Sequence, residues 1–167
     1  MIQFIKTRDV KSPIRNEKEN AGIDLFVPEN TEEFREALKL KNQNLHFNID
    51  TGVITLLPHE DIIIPSGIRS KFPNNLALIA NNKSGIATKK KLIFGASVID
   101  SSYQGEWHLH LINTSDFVQE ISCGQKIIQF IPHIIDNNPI EVLDLSEDTF
   151  FKEKTARGEG WQGSTGV

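Results

Sequence analysis

Two aspartates stand where a short apolar stretch could present a carboxylate for chemistry. Asp24 lies between apolar neighbours in AGIDLFVP, and Asp100 follows the apolar residues of GASVIDSSYQGEW, three residues before Tyr103. A carboxylate that faces inward, such as that of Asp24, can hold Mg²⁺ through bound water. Asp100 can act as a general base for a water molecule if a substrate and a metal ion lie beside it. Ordinary strand alternation and a turn aspartate explain the same residues, so neither stretch decides the matter alone.

A second group of residues supplies donors suited to an anion. In NKSGIATKKK, Lys83 brings a charge, Ser84 a hydroxyl and Gly85 a backbone that a ligand can approach closely. A Ser-Gly surface turn followed by a solvated lysine run is the alternative. Gln129 is a polar residue inside the apolar run of CGQKIIQFIP, where ordinary strand alternation is again the alternative.

The stretch RGEGWQGSTG, residues 157–166, combines four glycines with Arg157 and Trp161. Arginine suits forked recognition of phosphate, and tryptophan offers a flat face on which a base can stack. Glycines would let such an arm fold over a ligand and release it. Composition alone is equally typical of a disordered tail.

The elements that must position these residues are predicted to be strands. Short apolar stretches bounded by Gly, Pro, Asn, Asp or Ser recur at residues 2–5, 23–27, 53–57, 61–68, 76–80, 91–99, 107–112, 117–121, 126–131 and 140–143. The stretch 107–112 alternates with a period of two, which places Trp107, Leu109 and Leu111 on one face and His108, His110 and Ile112 on the other. About ten short strands without intervening helices predict an all-β sandwich or barrel rather than a parallel α/β sheet.

One segment breaks the strand pattern. NTEEFREALKLKNQ offers Asn30 and Thr31 as N-cap candidates, acidic residues in the first turn, and apolar residues at helical spacing. This pattern predicts a short amphipathic helix over about 31–41. The polar stretch that follows, as far as Thr51, is predicted to be a loop.

Composition limits the classes of function. The chain has 167 residues, a net charge of −4 and a single cysteine, Cys123. One domain is expected at this length, and the acidic balance disfavours nucleic acid as a partner. A lone cysteine excludes an intramolecular disulfide and disfavours a Cys-based zinc site. No apolar run reaches the roughly 18 to 20 residues that span a bilayer, and MIQFIKTRDV lacks a signal-peptide layout. We therefore expect a cytoplasmic protein that binds no membrane.

Taken together and in order, the five stretches resemble the five motifs of the trimeric dUTP pyrophosphatase (dUTPase) family, from residue 21 to residue 166. GASVIDSSYQGEW and RGEGWQGSTG are the specific matches. The resemblance implies a distorted jelly-roll β-barrel over residues 1–153 and a glycine-rich arm at 154–167 that closes over the site. It implies Mg²⁺-dependent hydrolysis of dUTP to dUMP and pyrophosphate, which keeps uracil out of DNA and supplies dUMP for thymidylate synthesis. It also implies a homotrimer in which each active site draws on all three subunits.

The resemblance further implies a role for each matched residue. Asp100 would orient and activate the attacking water, Asp24 would hold Mg²⁺ through water, and Tyr103 would pack on the deoxyribose and exclude a 2′-hydroxyl. The other implied substrate contacts are Lys83, Ser84, Gly85 and Gln129 at the phosphates, the main chain of Gly95, Ala96, Ser97, Val98 and Ile99 at the uracil edge, and Arg157, Trp161, Gly163 and Ser164 in the arm. Arg157 would clamp the γ-phosphate, and Trp161 would stack over the uracil.

The chain departs from the usual family pattern at four positions within the matched stretches. Lys83 and Lys126 stand where arginine is usual, Ser102 where a second acid is usual, and Trp161 where phenylalanine is usual. Lysine cannot make a two-pronged contact with phosphate. These departures bear on affinity and salt dependence rather than on the reaction class.

The segment 29–52 is longer than the family generally has between its first two motifs. We predict a surface insertion packed by Phe34 and Leu38 on the flank of the barrel. A neutral insertion is one interpretation, and a protein partner bound at residues 30–50 is the other.

Two other functions remain open at this point. A dCTP deaminase-like nucleotide enzyme shares the fold and a similar Ile-Asp strand, although Tyr103 and the Arg157 arm favour the pyrophosphatase. A regulatory module of the same fold could bind a protein instead of turning over nucleotide, although Asp100 and Asp24 are both present. Products from dCTP would identify the first, and a partner that co-purifies without nucleotide would identify the second.

Overall fold

The computed structural model of the chain describes residues 1–153 and residue 155. Contacts divide the chain into two units, residues 1–136 and residues 137–167. The predicted division at residue 153 stays a prediction, and the proposed arm lies outside the described residues apart from Thr155.

Short strands carry most of the regular structure of the first unit. They are β1 Gln3–Lys6, β2 Ile23–Phe26, β3 His46–Asn48, β4 Val53–Leu56, β5 Asp61–Pro65, β6 Ile68–Lys71, β7 Leu76–Asn82, β8 Leu92–Phe94, β9 Val98–Asp100, β10 His108–Asn113, β11 Gln119–Ser122 and β12 Lys126–Ile134. The expected all-β class with one short helix is confirmed.

These strands pair into four small sheets among the described residues, rather than into one closed barrel. The strand orders are β1-β6, β5-β10-β8, β11-β4-β3 and β2-β12-β7-β9. Every pairing between these strands is antiparallel. Trp107, Leu109 and Leu111 are buried as their alternation predicts, and the Trp107 ring lies 4.7 Å from that of Phe130. The inner faces of the sheets thus share one apolar core.

Three strand predictions need correction. The stretch 61–68 forms two strands because the chain turns at Gly67, whose φ of +71° favours glycine. The stretch 91–99 also forms two, β8 and β9, which belong to different sheets. The stretch 140–143 forms no strand: Ile140 and Val142 are more than nine-tenths exposed, so no buried face supports pairing.

The predicted helix is present as α1, Glu32–Lys41, and begins where the N-cap signal places it. The Phe34 amide donates to the Thr31 hydroxyl oxygen at 3.2 Å. Phe34 and Leu38 are fully buried, which confirms the predicted packing face. Beyond the helix, the Asn42 side chain donates to the Ile63 carbonyl and accepts from the Ile63 amide, both at 2.9 Å, so this end is tied to β5. The segment therefore belongs to the core rather than lying on it.

The loop expected after the helix is wrong in one part. β3 lies within it and pairs with β4, with Phe47 opposite Ile54. The Phe47 ring meets Phe34 edge-on at 6.5 Å. An apolar contact with α1 explains a strand that the polar local sequence does not predict.

The second unit is described only over residues 137–153 and 155. It contains a one-turn helix, α2 Glu147–Phe150, and the Phe150 and Phe151 rings meet at 90°. Within the described part of the chain, no helix has both the length and the apolar character needed to cross a membrane.

Candidate active site

The β2-β12-β7 part of the four-stranded sheet brings three predicted residues together. Gln129 on β12 pairs with Asp24 on β2 on one side and with Asn81 on β7 on the other. Lys83 and Ser84 follow directly at the end of β7. They border an open pocket of about 290 Å³, here called the lysine pocket, which is lined by Lys83, Ser84, Gly85, Ile86, Lys126 and Gln129.

Asp24 lies beneath the lysine pocket and is 4% exposed. Its two carboxylate oxygens accept from the Lys83 ammonium at 2.5 Å and the Lys126 ammonium at 2.9 Å. Burial by itself raises the pKa of this carboxyl, but hydrogen bonds and charge from the two lysines outweigh burial and hold the pKa below its ordinary value. Asp24 is therefore ionised at neutral pH, and two ammonium groups against one carboxylate leave the pocket with a net positive charge.

Gln129 is held in place from two directions. Its amide nitrogen donates to the Asn82 carbonyl at 3.0 Å. Its side chain also lies over Gly22, where a Cβ would come within 2.2 Å of the Gln129 Oε1. Gly22 of AGIDLFVP thus makes room for Gln129 of CGQKIIQFIP.

Ser84 and Gly85 open a short turn that continues into a π-helix at Ile86–Lys90. Both residues are exposed, and the Thr88 hydroxyl donates to the Ser84 carbonyl at 2.6 Å. A Cβ on Gly85 would meet nothing within 4 Å. Packing within the chain therefore gives no reason for a glycine here, which agrees with the predicted close approach of a ligand.

Residues 95–99 run from the end of β8 into β9 and lie alongside β7. The Phe94 amide donates to the Asn82 side chain at 3.1 Å, and the Ser97 carbonyl accepts from the Ala80 amide at 2.7 Å. Asp100 ends β9 opposite Ala77 and is exposed. Main-chain groups of the 95–99 segment thus follow β7 away from the lysine pocket.

Tyr103 packs over the turn that follows β9. Its hydroxyl donates to the Glu106 carbonyl at 2.9 Å, and its amide donates to the Asp100 carbonyl at 3.1 Å. A Cβ on Gly105 would come within 2.3 Å of the tyrosine hydroxyl, so the ring can occupy this position only because residue 105 has no side chain. The Glu106 carboxylate is bound by Arg8 and by the Gly67 amide. Tyr103 is therefore fixed to the turn that follows Asp100, and one face of its ring stays exposed.

Asp100 and the lysine pocket lie at opposite ends of β7 within one chain. Six residue steps separate Ala77, opposite Asp100, from Lys83. At roughly 3.3 Å per residue in an extended strand, that distance is about 20 Å. The structure therefore brings Asp24, Lys83 and Gln129 together but does not bring Asp100 to them.

Four of the predicted site residues lie in the arm, and two residues that contact Asp24 in the structure are not among the predicted ones. Arg157, Trp161, Gly163 and Ser164 lie outside the described residues. In the sequence, Lys126 stands out only as a departure from arginine, yet in the structure it shares Asp24 with Lys83. Its position three residues before Gln129 is the one signal of this role in the sequence. Asn16, which donates to Asp24 at 3.3 Å, carries no signal in the sequence.

The side chains around the lysine pocket offer few ligands for a metal ion. No group of three or more His, Cys, Asp or Glu side chains in the described part of the chain is arranged to hold a metal. Asp24 offers one ionised carboxylate next to the lysine pocket. Both oxygens of this carboxylate already accept from lysine ammonium groups, so the donor set fits only Mg²⁺ that contacts Asp24 through water and takes its direct ligands from water and phosphate oxygens.

Comparison with known proteins gives one family. The family model described as dUTPase matches residues 45–166. Proteins named deoxyuridine 5′-triphosphate nucleotidohydrolase are similar to the chain: that of Wolbachia pipientis subsp. Culex pipiens is 36% identical over 74% of this chain and 78% of its own length. That of Rhizobium rhizogenes is 32% identical over 100% of this chain and 92% of its own length.

Solved structures agree in fold. The dUTPase of Staphylococcus bacteriophage 80alpha, solved with dUpNHpp, covers 100% of this chain and 99% of its own with a TM-score of 0.75 and 19% identity. A dUTPase mutant from phage phi11 of S. aureus, described with a structural Mg(II) ion, has a TM-score of 0.68 at 17% identity and covers 88% of this chain and 99% of its own.

Proposed function

The chain belongs to the dUTPase family, and from this premise we propose that it hydrolyses dUTP to dUMP and pyrophosphate at a site shared between subunits. The observation that carries the proposal is the lysine pocket, where Lys83, Lys126 and Gln129 converge over the ionised Asp24. Such a pocket has the charge and the donors that a triphosphate requires.

The phosphate chain is held mainly by charge and positioned donors. Lys83 and Lys126 supply ammonium groups, Ser84 a hydroxyl and Gln129 a side-chain amide. Each lysine acts as a point charge, so binding depends more on salt than a forked arginine contact would. Arg157, in the proposed arm, would add the contact at the γ-phosphate.

Asp100 serves as the acid that orients the attacking water. It is exposed at the end of β9, where a carboxylate can reach solvent and accept a proton from water. Attack at the α-phosphorus releases pyrophosphate, and most of the barrier is lowered by positioning and charge neutralisation around the polyphosphate.

Asp24 would hold Mg²⁺ through water beside the lysine pocket. When bound, Mg²⁺ neutralises charge on the phosphate oxygens of the substrate. The lowered pKa keeps Asp24 ionised at neutral pH, and Mg²⁺ that arrives with the triphosphate would compete with Lys83 and Lys126 for this carboxylate.

The base and sugar are recognised along the 95–99 segment. Its main-chain groups read the uracil edge, and Tyr103 packs on the deoxyribose where a 2′-hydroxyl would clash. Tyr103 is 39% exposed and anchored through its hydroxyl, which leaves a ring face for a sugar. Trp161 of the arm would stack over the uracil.

The separation of about 20 Å along β7 supports a composite site. Asp100 and the 95–99 segment of one subunit would meet the lysine pocket of another in a homotrimer. Val98, two residues before Asp100 on the edge strand β9, is 56% exposed and offers an apolar surface suited to contact with a second copy.

The first test is pyrophosphate release from dUTP with Mg²⁺, run beside dCTP, dTTP and UTP. We expect release from dUTP alone, and we expect Asp100→Asn to lower kcat by a factor of roughly 10² to 10⁴ while the protein stays folded. Release from every nucleotide, or full activity in the variant, would overturn the proposal. Appearance of dUTP from dCTP would identify a deaminase instead.

The second test asks whether sites are shared. Chains with Asp100→Asn lack the carboxylate for water, and chains with both Lys83→Ala and Gln129→Ala lack two of the phosphate donors; the two kinds are co-expressed with different tags and purified as mixed oligomers. If the two halves come from different subunits of a trimer, every mixed trimer has one intact site out of three, so about a third of the sites are restored. Mixed oligomers as inactive as the parents would mean that each site lies within one chain.

A further inference from the structure

The imidazole of His110 is bound to the start of the 95–99 segment. On β10, His110 Nδ1 accepts from the Ala96 amide at 3.0 Å, and the His110 carbonyl accepts from the Gly95 amide at 2.9 Å. On the other side of the ring, Nε2 lies 2.9 Å from an Asp61 carboxylate oxygen on β5. One side chain thus connects β5 to the segment that is proposed to face the base.

The hydrogen bonds determine the tautomer of the ring. A backbone amide can only donate, so Nδ1 must carry a lone pair toward Ala96. The ring proton of the neutral imidazole is then on Nε2, where it donates to Asp61. Asp61 orients the ring, and the ring presents a fixed acceptor to the segment.

Gly95 shows that this contact is built into the segment. A Cβ at residue 95 would lie 2.1 Å from His110 Nδ1 and 2.4 Å from Cε1. Any other residue there would push the ring away from the Ala96 amide. Gly95 of GASVIDSSYQGEW and His110 of β10 therefore fit together sterically.

We propose that His110 is a positioning residue for base recognition, because it holds the Ala96 peptide and thereby sets which main-chain groups of residues 95–99 face the uracil edge. The inference rests on the proposed function. His110 acts through the backbone and does not touch the reacting atoms. Asp100 is four residues beyond Ala96, at the far end of β9, so the chemical step is expected to change little when His110 is altered.

Two substitutions of His110 test the Nδ1 contact with Ala96 and the Nε2 contact with Asp61 separately. In His110→Asn, the side-chain oxygen lies close to the position of Nδ1 and can still accept from Ala96. In His110→Gln, the longer side chain reaches toward Asp61 and leaves the Ala96 amide without its acceptor. The two variants have the same chemistry and differ in which contact they keep.

We expect His110→Asn to keep the KM for dUTP within about two-fold of wild type. We expect His110→Gln to raise it about ten-fold, the value of one lost hydrogen bond, with kcat within about two-fold. The preference for dUTP over dCTP, measured as the ratio of kcat/KM values, should fall in His110→Gln only. Equal KM values for the two variants would overturn the inference.

A spectroscopic measurement on the wild-type protein tests the same contact and requires no folded variant. The imidazole ¹⁵N spectrum should show His110 Nδ1 unprotonated and Nε2 protonated at neutral pH, and the opposite tautomer would overturn the inference. Wild-type turnover of dUTP, measured in the same series, keeps the two proposals apart. An inactive wild type refutes the proposed function, whereas an active wild type with an unaffected His110→Gln refutes only the role of His110.

Discussion

Replacing Asp24 with asparagine removes the buried negative charge from a group of three charges. The wild-type carboxylate lies between the ammonium groups of Lys83 and Lys126 at 2.5 and 2.9 Å, with the Asn16 amide at 3.3 Å. Asparagine has nearly the same shape, so packing is retained. Two ammonium groups are then left facing a neutral amide and each other.

The expected loss of stability follows from this geometry. Removing one partner of a fully buried ion pair costs about 3–5 kcal/mol because the other charge stays buried. The lysine side chains are 25% and 30% exposed and can turn partly toward water. We therefore expect a lower cost for Asp24→Asn, roughly 2–4 kcal/mol, which for a chain of this size lowers the melting temperature by roughly 4–16 °C.

The assay is urea unfolding of wild type and Asp24→Asn across a range of pH. Burial raises the pKa of Asp24, but the two lysines outweigh burial and lower it overall. Its stabilising contribution is therefore complete above the ordinary carboxylate pKa of about 4 and is lost as the pH falls through the lower folded-state pKa. The two stability curves should converge in acid.

The matched control is Asp116→Asn. Asp116 also contacts a basic side chain, the imidazole of His59 at 3.0 Å, but the Asp116 side chain is 89% exposed. An exposed pair of this kind contributes little, so no measurable change in unfolding is expected. A loss below about 1 kcal/mol for Asp24→Asn, or a difference that persists unchanged in acid, would refute the electrostatic reasoning.

Two glycines and the cysteine give further measurable outcomes. Gly22→Ala places a methyl group 2.2 Å from Gln129 Oε1 and 3.1 Å from its Cβ, so the glutamine must turn away from the Asn82 carbonyl. We expect steady-state kinetics to show that the KM for dUTP rises about five-fold. Gly85→Ala meets no neighbour and should leave the melting temperature unchanged while raising the same KM, and an unchanged KM would argue against phosphate contact with this backbone. Burial, followed by the nearby Glu29, raises the pKa of the Cys123 thiol from 9.0 to about 11, so at pH 8 iodoacetamide should alkylate the native chain about 100-fold more slowly than the urea-unfolded chain. Because the buried thiol binds its proton more tightly than the unfolded one, the contribution of Cys123 to the free energy of unfolding is complete below about pH 9 and is lost as the pH rises toward about 11. Equal alkylation rates for the native and the unfolded chain would contradict the raised pKa.

Deleting residues 30–50 would not test whether this segment is a neutral insertion. A neutral surface insertion would be removable without loss of turnover. Phe34 and Leu38 are fully buried, and Asn42 satisfies both backbone groups of Ile63. Removing the segment would open the core, so a protein partner at this segment is better tested by exposed substitutions such as Leu40→Ser, a residue that is 86% exposed.

The sequence by itself determined the strand class, the helix and the identity of the chemical groups. Alternation of Trp107, Leu109 and Leu111 predicts a buried face because successive residues of a strand point to opposite sides. The Thr31 cap predicts where α1 begins because its hydroxyl satisfies a free amide of the first turn. These signals are local, so they are readable without a fold.

Only the tertiary structure decided which groups meet. Lys126 and Lys83 are 43 residues apart in the chain and bind the same carboxylate, because β12 lies between β2 and β7. His110 and Ala96 meet because β8 pairs with β10 before the chain crosses to β9. The polar sequence around β3 gave no strand signal, since its pairing depends on contact with α1. Sheet order and register, which depend on burial of the whole core, set these long-range contacts and placed Asp100 at the opposite end of β7 from the lysine pocket.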